Sequence, residues 1–126
     1  MNKYIALLKS VGEEVEEKVS LKVNGLIVTC FAGYCPNKIC VGNEYPVVFE
    51  LMIFNDYEVE EVESKCCGVE RIENGFSYWV KGRLCKGEID CGIKFSDEIL
   101  LSDYGYLDGK FVRVKVDRID VEFLEE

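Results

Sequence analysis

Residues 109–123 read GKFVRVKVDRIDVEF, and the fold depends on how this stretch is understood. Val112, Val114 and Val116 alternate with Arg113, Lys115 and Asp117. A period of two is the pattern of a β-strand with one face against a core and the other toward water. Past Arg118 the apolar parity flips to Ile119, Val121 and Phe123, with Asp120 and Glu122 between them. One strand cannot change faces without an extra residue, so a bulge, bend or break is expected at Asp117-Arg118. Small barrels curl a strand round a corner in this way.

Upstream, FSYWVKGRLC (76–85) and EIDCGIKF (88–95) flank Lys86-Gly87. A two-residue loop there opposes Leu84 to Ile89, Gly82 to Cys91, Val80 to Ile93 and Tyr78 to Phe95. Gly82 interrupts this apolar row, and its missing side chain marks a bend or a close backbone approach. The other row sets Arg83 against Asp90, a cross-strand charge pair. A second hairpin joins VSLKV (19–23) to LIVTC (26–30) through Asn24-Gly25, a type I′ turn pair. It opposes Val23 to Leu26, Leu21 to Val28 and Val19 to Cys30. Asn74-Gly75 pairs its flanks less well, setting Glu73 against Phe76, so a longer or bulged loop is expected there.

Pro46 is expected to open a strand over VVFELMIF (47–54), apolar on both parities except at Glu50 and therefore central. Residues 3–8 (KYIALL) suit an edge strand or a tucked-in segment. Residues 33–46 are a loop by their Gly, Pro and Asn content, and 55–65 are acidic, with Tyr57, Val59 and Val62 as weak apolar anchors. Residues 96–108 connect to the last stretch, with one helical turn at 97–101.

The count is six to eight strands, without an amphipathic helical stripe or a long internal repeat. The expected fold is all-β, a single small antiparallel β-barrel forming one domain over residues 1–126, with a two-sheet sandwich as the runner-up. GKFVRVKV (109–116) and the F-x-Y-x-V-x-G-R-L pattern at 76–84 resemble strands of OB-type small barrels.

Composition narrows the chemistry. The 126 residues carry a net charge of −9, which disfavours broad attraction to nucleic acid or anionic membrane. Histidine is absent, which excludes His-based triads and His metal ligands. No P-loop, G-x-S-x-G, G-x-G-x-x-G or H-E-x-x-H motif occurs, so a non-catalytic protein without a cofactor is expected. The N-terminal stretch lacks the long apolar core of a signal or a spanning segment, which predicts a cytoplasmic location.

Two groups of residues stand out as candidate sites. Trp79, Lys81, Arg83 and Lys94 fall on the outward parity of the 76–95 hairpin, as do Arg113 and Lys115 on the last stretch. If those strands adjoin, an acidic protein carries a cationic face around a Trp. Such a face suits a protein partner or a homo-oligomer mate, since Trp and Arg dominate interface hot spots. OB-type barrels use similar faces for single-stranded nucleic acid. The charge also favours a basic client, as for a small acidic immunity- or antitoxin-like protein.

The seven cysteines form the second group. Cys35 and Cys40, separated by four residues, with Cys66 and Cys67, could supply thiolates to a structural zinc, although adjacent cysteines ligate one ion with poor geometry. Cys30 and Cys91 fall on apolar faces and read as core, and Cys85 lies on the outer row. The acidic run at Asp56, Glu58, Glu60, Glu61 and Glu63 lacks the Gly and Glu positions of an EF-hand loop and reads as solvated surface.

Overall fold

The computed structural model describes residues 2–12, 17–33, 39–54, 56–73 and 75–124. Four strands come first: β1 (Lys3–Val11), β2 (Lys18–Val23), β3 (Leu26–Phe31) and β4 (Glu44–Met52). Six more follow: β5 (Glu58–Glu61), β6 (Gly68–Arg71), β7 (Tyr78–Cys85), β8 (Glu88–Asp90), β9 (Lys94–Ser96) and β10 (Phe111–Val116). The helix α1 (Glu98–Ser102) sits between β9 and β10, and β11 (Arg118–Phe123) ends the series.

Strands β1, β2, β3, β11 and β4 close into a barrel in that order, β4 pairing back onto β1. The pairing is antiparallel except where β11 lies parallel to β3, joined at the single pair Asp120–Phe31. This is the OB-like all-β barrel that the alternating strands predict. The six middle strands do not curl into it. They form a second sheet in the order β5-β10-β7-β8-β9, with β6 also on β7.

The parity flip at Asp117-Arg118 is the joint between the two sheets. Val112, Val114 and Val116 are fully buried in β10, and Ile119, Val121 and Phe123 are buried in β11. Asp117 is the extra residue that changes the face. Its N–H donates to the Met52 carbonyl at 2.9 Å, and its carboxylate accepts the Phe54 N–H at 2.7 Å. Each buried valine contributes roughly 1.5–3 kcal/mol by leaving water, so the parities on both sides of the joint are strongly specified.

The β2–β3 hairpin has the expected register, with Val23 opposite Leu26, Leu21 opposite Val28 and Val19 opposite Cys30. Asn24 and Gly25 take φ of 49° and 82°, as a type I′ turn requires. Strand β4 is central, but it begins at Glu44 and contains Pro46 opposite Ile5. Pro46 sits at the end of the β11 ladder, where its carbonyl accepts the Leu124 N–H and its missing donor costs only a terminal bond. Only its inward face (Val47, Phe49, Leu51) is buried; Val48 is half-buried and Glu50 exposed.

Three expectations need correction. Residues 3–8 are no edge strand, because β1 pairs with β2 on one side and β4 on the other. The acidic 55–65 segment contains β5, which lies on β10 with Val59 opposite Val114. The 76–95 hairpin keeps its first pairs, Leu84–Ile89 and Arg83–Asp90, and then stops. Gly92, at φ +104°, turns the chain so that β9 folds back on β8. Strand β6 takes the vacated edge of β7 instead, setting Val69 against Val80 and Arg71 against Tyr78. Beyond Arg71 the Ile72 N–H still reaches the Ser77 carbonyl, which keeps the register that a two-residue turn would set.

One hydrophobic cluster runs through both sheets. Phe49 of the barrel meets Phe95 of β9 edge to face at 6.0 Å between centroids. Polar ties add to this packing. The Thr29 N–H donates to the buried Tyr78 hydroxyl at 2.7 Å, beside the thinly paired β3–β11 seam. The Lys94 N–H donates to the Tyr4 hydroxyl, and the Asn24 amide to the Gly92 carbonyl. Helix α1 is the expected helical turn, capped by the Asp97 carboxylate on the Ile99 N–H. Among the described residues, no helix is long and apolar enough to cross a membrane.

Candidate functional site: the outer face of the second sheet

Strands β7 and β10 are neighbours, so the two outward rows predicted from the sequence do meet. Trp79 lies opposite Lys115, and Lys81 opposite Arg113. On the far side of β10, Glu58 and Glu60 of β5 continue these rows. On the far side of β7, Glu70 of β6 lies opposite Trp79. At the other end of β7, Arg83 faces Asp90, which in turn faces Lys94. All six predicted residues therefore occupy one face, but that face is not simply cationic. Glu58, Glu60, Glu70 and Asp90 are interleaved with its five cations.

Side-chain contacts follow the rows. Lys81 Nζ lies 2.7 Å from Glu70, an exposed pair that lowers the Glu70 carboxyl below its usual range. Arg113 pairs with Glu60 and lies over the Trp79 ring, its guanidinium carbon 4.2 Å from the centroid. Trp79 is half-buried rather than open, covered in part by this arginine. The cross-strand partners are thus glutamates of β5 and β6, two strands that the sequence did not place on this face.

Beside Trp79 lies a depression of about 390 Å³ lined by Tyr57, Glu58, Val59, Glu60, Trp79 and Arg113. Tyr57 stacks on Tyr104 at 6.4 Å, and Tyr104 leans on Tyr106, which is 75% exposed. The Tyr57 hydroxyl donates to Asp97 at 2.8 Å. Burial, then that hydrogen bond, pushes its pKa up to about 12, so the phenol stays neutral at physiological pH. Tyr57, Tyr104 and Tyr106 were not read as a site from the sequence. The Tyr57-x-Val59 alternation was the available signal for the strand that brings Tyr57 to Trp79.

The cysteines fall in several places. Cys30 and Cys91 are buried as expected, burial raising both thiols, Cys91 to about 11. Such thiols are protonated and unreactive near neutral pH. Cys85 is exposed on β7. Cys40 lies exposed before β4, its N–H donating to the Tyr45 hydroxyl. Cys66 and Cys67 are exposed between β5 and β6, and the Ser64 hydroxyl donates to the Cys66 sulfur at 2.8 Å. Cys35 lies outside the described residues. Among the described residues, no three His, Cys, Asp or Glu side chains cluster so as to hold a metal ion.

Fold and face together define a class: an OB-like barrel whose β4–β11 connection is expanded into a second sheet bearing an aromatic, charge-alternating surface. The family model described as Uncharacterised conserved protein UCP019853 matches residues 1–124, and the chain belongs to that family. Comparison with curated proteins and with solved structures gave no match.

Proposed function

We propose that this chain is a non-catalytic interaction module that receives a basic segment of a protein partner in the depression between Tyr57 and Trp79. The carrying observation is the composition of that depression: among the described residues it is lined by two aromatic rings, Val59, the carboxylates Glu58 and Glu60, and one cation, Arg113. Arg113 models the ligand, because its guanidinium already lies on the Trp79 ring and pairs with Glu60. A partner arginine or lysine would find the same chemistry in Tyr57 and Glu58, a ring face and a carboxylate. The net charge of −9 steers a basic partner toward the protein. The arc through Tyr104 to Tyr106 extends the contact with amphipathic rings of the kind enriched at interfaces.

Single-stranded nucleic acid is the competing reading of the same face. It is disfavoured because four carboxylates stand among the cations that would meet the phosphates.

Trp79 is the chain's single tryptophan, so its fluorescence reports directly on this site. Arginine-rich peptides at low salt should shift or quench the emission, whereas an acidic peptide and a single-stranded oligonucleotide should not. Glu58→Gln should weaken the response, and added salt should do the same. An unchanged spectrum with basic peptides, or an equal response to the oligonucleotide, refutes the proposal.

A further inference from the structure

The outside of the barrel carries a second surface, remote in sequence from Trp79. On β1 the outward residues are Lys3, Ile5 and Leu7; on β4 they are Glu44, Pro46 and Val48. The ladder sets Leu7 against Glu44, Ile5 against Pro46, and Lys3 against Val48. Ile5, in the middle of a doubly paired strand, is 56% exposed. Leu7, Pro46 and Val48 are half-buried around it. The four side chains adjoin across the β1–β4 ladder, so the barrel exterior carries an apolar ribbon between its charged flanks.

Its charges are divided by side. On β2, next to β1, Lys22 lies beside Leu7, and Lys3 stands on β1 itself. On β11, next to β4, Glu122 lies beside Val48, and Glu44 stands on β4 itself. One flank of the apolar ribbon is cationic and the other anionic.

This division selects an occupant. When two copies face each other across a two-fold axis parallel to the strands, left and right exchange. The β1 side of each copy then covers the β4 side of the other. Ile5 meets Pro46, Lys3 comes within reach of Glu122, and Lys22 within reach of Glu44, each contact made twice as an isologous interface requires. A two-fold axis across the strands would instead stack like charges on like. We infer that the β1–β4 ribbon is the interface of a homodimer of this chain, with its axis along the strands. It is a second contact face, independent of the proposed peptide site.

Sedimentation velocity of the full chain, from about 1 to 500 µM, tests the inference. The parent protein should pass from monomer to dimer within that range. Ile5→Lys should keep its melting temperature and remain monomeric. Lys22→Glu and Glu44→Lys should each weaken association at least tenfold, and the double reversal should recover it. Trp79→Ala should leave the dimer intact. A parent that stays monomeric throughout overturns the inference. So does a dimer that survives Ile5→Lys, one that dissociates on Trp79→Ala, or a double reversal no stronger than the single ones. Because the Trp79 fluorescence assay reads a different face, failure of either proposal leaves the other to be judged on its own result.

Discussion

Gly82→Ala adds only one methyl group and should nevertheless destabilise the protein measurably. Strand β7 shares one edge between two partners, β6 over residues 78–81 and β8 over residues 83–85. Gly82 is the residue between them, where the chain leaving β8 crosses over β7. A Cβ there would lie 2.5 Å from the Asp90 carbonyl carbon, closer still to its oxygen, and 2.9 Å from the Cys91 nitrogen. All three are backbone atoms, so no side-chain rotation relieves the clash, and β8 must move away from β7. Cys91 and Ile93, just beyond, are almost fully buried and would move with it.

Overpacking of a well-filled core costs about 1–3 kcal/mol, and an unyielding backbone contact belongs at the upper end. The alanine recovers only about 0.4–1 kcal/mol through the unfolded chain. A net loss near 2 kcal/mol, with an unfolding entropy of about 2.1 cal/mol/K per residue over 126 residues, lowers the melting temperature by about 8 °C. Gly105→Ala is the control, because nothing lies within 4 Å of its added Cβ and its φ is not positive. It should melt within about 4 °C of the parent, corresponding to less than about 1 kcal/mol. Thermal melts followed by far-ultraviolet circular dichroism measure both. If Gly82→Ala melts where Gly105→Ala does, β8 does not cross β7 there and the sharing of that edge is wrong.

Two further outcomes follow from titrations. The raised Tyr57 pKa means that its neutral, hydrogen-bonded form favours the fold below the ordinary tyrosine value near 10, and this contribution is lost as pH rises through about 12. Spectrophotometric titration should therefore show a late tyrosine ionisation step that Tyr57→Phe removes; a late step that survives Tyr57→Phe unchanged would contradict the Asp97 hydrogen bond. Thiol labelling followed by peptide mapping should modify Cys40, Cys66, Cys67 and Cys85 in the native protein, but Cys30 and Cys91 only on unfolding. Native labelling of Cys30 as fast as Cys85 would mean that the barrel interior is open to the reagent.

The sequence displays local pairing well and sheet membership poorly. Asn24-Gly25 sets the β2–β3 register by turn chemistry alone, because both central residues need positive φ and the flanking parities agree. The flip after Asp117 is equally legible, since period two tolerates no silent insertion. Nothing local says that β10 and β11 belong to different sheets, because a bend and a change of sheet leave the same signature. The 76–95 hairpin misled for a related reason. Ile93 and Phe95 are buried as their parity demands, but Gly92 delivers them by turning the chain back on β8 rather than by lengthening the hairpin. For the candidate site, parity placed Trp79, Lys81, Arg113 and Lys115 on one face correctly. Their carboxylate partners were hidden because β5 and β6 are four residues each, too short for alternation to stand out, and three of the four residues of β5 are glutamates.

The way the second sheet is attached bears on how the two proposed faces would work together. Its strands lie between Met52 and Arg118, and these two residues are direct partners in the barrel ladder. The chain therefore leaves and returns at one point, a neck clamped by Asp117 on Met52 and Phe54 and by Arg118 stacked between Phe31 and Phe54. A sheet held only at a neck would swing. This one is also fixed by the Tyr78–Thr29, Tyr4–Lys94 and Asn24–Gly92 hydrogen bonds and by the Phe49–Phe95 contact, which span from barrel to sheet at separate places. The Trp79 face therefore keeps a set direction relative to the β1–β4 ribbon. A dimer on that ribbon would hold two Trp79 faces at a set spacing, and a partner with two basic segments spanning it would bind with the gain that effective concentration gives to a second, intramolecular contact. Disrupting the ribbon with Ile5→Lys should then leave single-segment peptide binding unchanged while lowering affinity for such a two-segment partner, a separation that a monomeric receptor could not produce.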